Sequence, residues 1–170
     1  MAKSKSKISL GKIVACVAAV LGLAAIIMLF VPQLSYKSVT GLDKGDSLNG
    51  LKITFGYKEK DVAILNFSVG NFLTYVLALV GVVFAVLAVF GKLGKIAPIV
   101  SAAAFIVSGV FFFCAHTFMM VNVGKLTGDA AAAVSDTFKG LYTLGAGAIV
   151  GGILSLLAGL AMAAKLFIKK

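Results

Sequence analysis

Residues able to do chemistry are few in this chain. His116 is the single histidine, Cys16 and Cys114 are the two cysteines, and the long apolar segments carry no Asp, Glu, Lys or Arg between their ends. Catalysis and proton relay need titratable groups held together, and such groups inside a membrane mark functional sites. The chain has no P-loop, Gly-x-Ser-x-Gly, HExxH or Cys-x-x-Cys motif. The sequence therefore predicts a protein that is not an enzyme, with no catalytic residue, no cofactor and no metal.

Polar side chains recur near one end of the apolar segments, around His116. One interpretation is an outer-leaflet pocket in which His116 titrates or donates hydrogen bonds. The other, which we favour, is a structural histidine bonded to a backbone carbonyl or to a neighbouring hydroxyl. The candidate pocket comprises His116, Thr117, Asn71, Thr74, Tyr75, Tyr142 and Thr143.

The composition is that of an integral membrane protein. Of 170 residues, 61% are hydrophobic and 13% are charged, with a mean hydropathy of +1.08, whereas a soluble domain carries roughly a quarter charged residues. A net charge of +10 in a soluble protein would suggest nucleic acid. Here the lysines flank apolar segments, where they meet lipid phosphates, so the expected partner is the lipid bilayer and not nucleic acid.

Four apolar segments are long enough to cross a bilayer, which takes roughly twenty residues. The first follows several lysines, but residues 31–33 offer no small-x-small cleavage site, so we predict an uncleaved helix rather than a signal peptide. The sequence predicts one four-helix membrane domain, 1–170. Its spans lie at about 13–31, 72–90, 96–121 and 141–164, its extracytoplasmic loops at 32–70 and 122–140, and its cytoplasmic turn at 91–95.

Charge predicts the orientation. The N-terminal segment, the short turn and the C-terminal segment hold nine lysines and no acid, whereas the two longer loops hold seven lysines and all six acids. The positive-inside rule then places both termini in the cytoplasm. We expect a multi-pass protein of the plasma (cytoplasmic) membrane.

Small residues repeat at spacings of three and four in every span. This spacing averages 3.5 residues, which predicts an all-α, left-handed bundle with helix crossing angles of about +20°. The fourth span carries two small-residue faces where a bundle interior needs one, so the second face could contact another copy, as a homo-oligomer, or another membrane protein. The residues assigned to helix packing or to this interface are Gly145, Gly147, Ala148, Gly151, Gly152, Ser155 and Gly159.

The first loop carries a strand pattern. Leu51, Ile53, Phe55 and Tyr57 alternate with other residues at period two, which is typical of a half-buried strand. Residues 58–61 predict a turn and 62–67 a second strand, so we expect an extracytoplasmic β-hairpin. Residues 34–40 are a candidate third strand.

The order of these parts resembles that of the claudin-like tetraspans. It has four spans with termini inside, a longer β-containing loop after the first span and a shorter loop after the third. The resemblance implies a barrier, adhesion or accessory role. No residue role is carried over, because that family's first loop has a Trp and paired cysteines, and this chain has no Trp and no loop cysteine.

Two functions remain open at this point. The sequence favours a non-enzymatic scaffold or accessory subunit that packs laterally with other membrane proteins and presents the hairpin. The alternative is a small oligomeric channel or carrier for ions or small solutes, lined by hydroxyls and by the outer polar residues.

Overall fold

Four long helices carry the fold in the computed structural model, which describes residues 9–37 and 45–168. Each is long and apolar enough to cross a membrane, so the prediction of four membrane-spanning helices is confirmed. The helices are α1 (Leu10–Ile27, continued by a 3-10 turn at Met28–Phe30), α2 (Gly50–Phe55), α3 (Val69–Val89), α4 (Ile96–Phe113), α5 (Gly128–Gly140) and α6 (Ala146–Lys165), of which α2 and α5 are not spans.

The four long helices form a ring in which α1 and α4 each pack against both α3 and α6. Aromatic side chains of α4 fill the middle by entering gaps that glycines leave. Phe105, 0% exposed, lies against Gly22 of α1 and Gly81 of α3, where an added Cβ on Gly81 would be 2.6 Å from its ring. The glycines thus admit large side chains.

Serine hydroxyls also join neighbouring helices. Ser101 and Ser108 of α4 donate to the carbonyls of Gly81 and Thr74 on α3, at 2.7 and 2.8 Å, and Ser155 of α6 donates to the carbonyl of Phe105 at 2.9 Å. All three serines are fully buried. In lipid the drive to bury apolar surface is weak, so close packing and such hydrogen bonds hold helices together.

Both small-residue faces of α6 are covered within the chain. Gly151 lies against Phe112 and Gly152 against Phe113, while Gly147 lies against the side chain of Gln33 in the first loop. The prediction of a spare face on α6 is therefore wrong, because the strand after α1 covers the glycines of both faces at the start of α6, and α4 covers those farther along the helix. The remaining residues of that set, Gly145, Ala148, Ser155 and Gly159, are buried as well.

The two longer loops meet in one structure, here called the cap, formed by the described residues 32–37, 45–68 and 119–145. Its main sheet is antiparallel in the order β2-β1-β5, and β3 pairs with β4 in a separate hairpin. The strands are β1 (Pro32–Tyr36), β2 (Leu48–Asn49), β3 (Tyr57–Glu59), β4 (Val62–Leu65) and β5 (Tyr142–Leu144). The small antiparallel sheet expected in the cap is present, but it unites both loops.

The prediction that residues 51–57 form the first strand of the hairpin is wrong for most of these residues. Gly50–Phe55 forms α2, and only Tyr57 keeps its place in a strand. Asn49 caps the helix by accepting a hydrogen bond from the Lys52 amide at 3.0 Å. Leu51, Ile53 and Phe55 then no longer share a face, since Ile53 is 1% exposed and Phe55 is 55% exposed.

Two span boundaries also differ from the prediction. α4 ends at Phe113 rather than near 121, because the backbone beyond it pairs with the hairpin: the Asn66 amide donates to the Met120 carbonyl at 2.8 Å, and the Asn122 amide to the Ile64 carbonyl at 2.9 Å. α6 begins at Ala146 rather than 141, because residues 142–144 form β5 against β1. Of the candidate third strand at residues 34–40, residues 34–36 lie in β1, which begins earlier, at Pro32; residue 37 is not in a strand, and residues 38–40 lie outside the described residues.

Candidate functional site

The polar residues expected to form a pocket bond to the backbone at the junction between cap and bundle. His116 Nε2 lies 2.9 Å from the Lys139 carbonyl, which is the contact expected of a structural histidine. The amide of Asn71 donates to the carbonyls of Ile53 and Ala115 at 3.4 Å each. Thr74 donates to Gly70 within its own helix at 3.0 Å. The Asn71 bonds join α3 to α2 and to the segment after α4, and the His116 bond joins that same segment to α5.

The rest of that set takes part in other contacts. The Tyr75 ring meets Phe112 edge to face, with 5.4 Å between centroids. The hydroxyl of Thr143 lies 3.4 Å from the Ser35 carbonyl across the β1–β5 pair. The Thr117 backbone carbonyl accepts from the Lys139 ammonium at 3.5 Å. The arrangement is a structural network along the base of the cap.

Tyr142 lies in the main sheet directly opposite Tyr36. Their rings meet edge to face at 5.7 Å. Burial, with a smaller contribution from Tyr36 and nearby acids, raises the pKa of the Tyr142 hydroxyl above its ordinary value. The sheet therefore favours the neutral phenol.

Two buried polar atoms in the cap have no hydrogen-bond partner in the described part of the chain: Gln33 Oε1 and Thr54 Oγ1. Both residues are 1% exposed. The amide nitrogen of Gln33 does donate to the Met28 carbonyl at 2.7 Å. Neither residue stands out in the sequence, because neither belongs to a motif and only the folded loop buries them.

An exposed aromatic cluster, consisting of Phe55, Phe67 and Phe72, lies where the cap meets α3. Its ring centroids are 5.6 to 6.3 Å apart. The three side chains are 55%, 47% and 38% exposed. The cluster joins α2, the segment before α3 and the first turn of α3, so it is a continuous apolar surface at that end of the bundle.

The opposite, lysine-rich end of the bundle contains a cavity of about 520 Å³. It lies among the first residues of α1 and α4 and the last residues of α3 and α6, and Lys12, Lys95 and Lys165 line it. None of the described lining residues is acidic. In the sequence, the positions of these lysines indicated only the orientation. Their positions just outside or at the end of three spans were the signal that could have indicated a shared site.

Lys165 is held in place within this cavity. Its ammonium donates to the Ala88 carbonyl, near the end of α3, at 2.6 Å. A cation there complements the partial negative charge of a helix C-terminus. Gly11 of α1 lies beside the aliphatic part of the same side chain.

Comparison of the chain with protein-family models, with curated proteins and with solved structures finds no match. The class of protein therefore follows from the fold. Four apolar helices of 18 to 21 residues, with a polar cap at one end and lysines at the other, define a multi-pass membrane protein. In the described residues, no three His, Cys, Asp or Glu side chains come together as a metal site requires.

Proposed function

We propose that this protein is a non-enzymatic scaffold or accessory subunit, which works through its surface by contacting other membrane proteins. The observation that carries the proposal is the joining of both loops into one cap on a filled bundle. β1, from the first loop, pairs with β5, from the second, and Phe105 and Phe112 occupy the interior below at 0% and 1% exposure. A cap held by strand pairing, on a bundle whose interior is occupied by side chains, suits a protein that acts through contacts made by its outer surface.

The lateral contact is assigned to the exposed aromatic cluster of Phe55, Phe67 and Phe72, since α6 has no uncovered glycine face. Aromatic residues are enriched at the centres of protein interfaces. The partner is a second copy of the chain or another membrane protein. The claudin-like order of elements in the sequence implies the same accessory role.

Photo-cross-linking in native membranes tests this contact. A photoreactive residue would replace Phe67, and a control would replace Val83 on α3, whose exposure of 48% matches the 47% of Phe67. We expect a discrete protein adduct from position 67 and only lipid adducts from position 83. Lipid adducts alone at both positions, or the same protein adducts at both, would contradict the proposal.

The proposed orientation places the lysine-rich end in the cytoplasm and the cap outside the plasma membrane. The support is the charge difference, nine lysines without an acid against seven lysines with six acids. In a variant with Cys16 and Cys114 replaced, a membrane-impermeant thiol reagent should label Lys125→Cys in intact cells and leave Lys92→Cys unlabelled. The reverse labelling would overturn the orientation.

A channel or carrier between copies is not proposed. The described outward faces of the spans expose Val, Leu, Ile and Phe side chains, among them Val20, Leu79 and Val110. These side chains suit lipid and offer no polar lining to a pathway.

A further inference from the structure

The cavity at the lysine-rich end has no role in the proposed function. Lys12 comes from the first turn of α1, Lys95 immediately precedes α4, and Lys165 ends α6. Three lysines at the ends of three helices thus line one cavity of about 520 Å³. Lys12 and Lys95 are exposed. Lys165 uses one of its three N–H donors on Ala88, and within the described residues its other two have no partner.

Nothing in the chain's acid content compensates this charge. The acidic residues that the structure describes, between 46 and 61 and between 129 and 136, belong to the cap at the other end of the bundle, and none of them lines the cavity. The cavity is therefore cationic. An anionic ligand would complete it.

The walls and the position of the cavity narrow the choice of anion. Between the lysines the lining is hydrocarbon, including Val89, Pro98 and Leu166. The cavity also lies at the ends of four membrane-spanning helices, which is the depth of the lipid headgroups. Basic pockets between helices at this depth are suited to phosphate-bearing headgroups, whose acyl chains continue along apolar helix surfaces.

We propose that this cavity binds a phosphate group, supplied by an anionic phospholipid. Lys12 and Lys95 contact the phosphate directly. Lys165 is fixed between α1 and α3 and contributes its two remaining donors. The lipid then links α1, α4 and α6 at the end where the bundle has no cap.

The test compares two double variants of the full chain that lose the same charge. Lys12→Gln with Lys95→Gln removes two cavity lysines without touching the Lys165 hydrogen bond. Lys58→Gln with Lys125→Gln removes two exposed lysines of the cap. Binding of phosphatidylglycerol and of phosphatidylcholine to the detergent-purified protein is measured by native mass spectrometry, with and without an excess of inorganic phosphate.

We expect the natural chain to bind phosphatidylglycerol more tightly than phosphatidylcholine. The cavity variant should lose about thirtyfold in affinity for phosphatidylglycerol, because each of the two lysines contributes about fivefold. The cap variant should bind as the natural chain does. Equal losses in both variants, no loss in the cavity variant, or no preference over phosphatidylcholine would overturn the proposal. Displacement of phosphatidylglycerol by inorganic phosphate would overturn its assignment to a lipid. An unchanged circular dichroism spectrum checks that the cavity variant is folded.

Discussion

The sharpest test of the bundle is Gly81→Ala, which adds one methyl group where Phe105 enters the gap between α1 and α3. An added Cβ would lie 2.6 Å from the nearest ring atom of Phe105, whereas ordinary contact begins at 3.4 Å, so the ring must move by at least 0.8 Å. The same ring also lies against Gly22, so α1 limits its movement on that side. The strain must therefore spread into the helices.

The expected cost follows from two opposing effects. Forcing an extra methyl group into a close-packed interior costs about 1–3 kcal/mol. Replacing Gly by Ala within a helix recovers up to about 1 kcal/mol, because Gly is the poorer helix former. The variant should therefore lower the free energy of unfolding by about 1–2 kcal/mol.

Reversible unfolding in mixed micelles measures this difference. Gly11→Ala is the matched control in α1, because its Cβ would lie 3.8 Å from the Lys165 side chain, an ordinary contact, so this change should not lower the free energy of unfolding. Combining Gly81→Ala with Phe105→Leu should cost less than the sum of the two single changes, by about 1 kcal/mol. If Gly81→Ala is no worse than Gly11→Ala, or if the pair is additive, the account of glycines as sites for aromatic side chains is refuted.

Three further changes test the cap and the helix contacts. Thr54→Val removes a buried hydroxyl that has no partner in the described chain, so it should raise the free energy of unfolding by about 1 kcal/mol; a loss of stability would mean that the hydroxyl is satisfied. Ser155→Ala removes the 2.9 Å hydrogen bond to the Phe105 carbonyl and should lower the free energy of unfolding by about 0.6 kcal/mol in the same micelle assay. An unchanged free energy of unfolding would contradict a stabilising role for that bond. The pKa of Tyr142 is higher in the folded protein than in the unfolded chain, whose tyrosines lose their protons at about pH 10.0. Above that pH the unfolded chain loses the proton while the folded protein keeps it, so the free energy of unfolding should fall as the pH rises above 10.0. Tyr142→Phe should remove that part of the pH dependence, and an identical pH curve would contradict the assignment.

The sequence predicted the parts of this protein that depend on local properties. Hydropathy identified the four spans, since in lipid each backbone polar group must be paired within its own helix. The period-two pattern of residues 51–57 misled, because the same short stretch also suits a helix. The Asn49 cap and the burial of Ile53 decide in favour of α2.

The candidate sites were harder to predict, because each one depends on distance between segments far apart in the chain. The polar residues near His116 were found by their position at one end of the spans, but only the fold shows that they bond to carbonyls. The sequence showed the three cavity lysines only as positive charges near the ends of spans, and it did not show that they lie close to one another. The sequence places Lys12, Lys95 and Lys165 at the ends of spans, but only the tertiary structure shows that they line one cavity.

By itself, then, the sequence determined that the chain crosses a membrane four times, and which ends of the spans carry the cations. Tertiary structure decided that Tyr36 pairs with Tyr142 across the cap, that Phe105 occupies the space left by Gly22 and Gly81, and that α6 has no spare face. The physical reason is that hydropathy acts on each segment separately. Strand pairing and side-chain packing depend on which segments are neighbours in space.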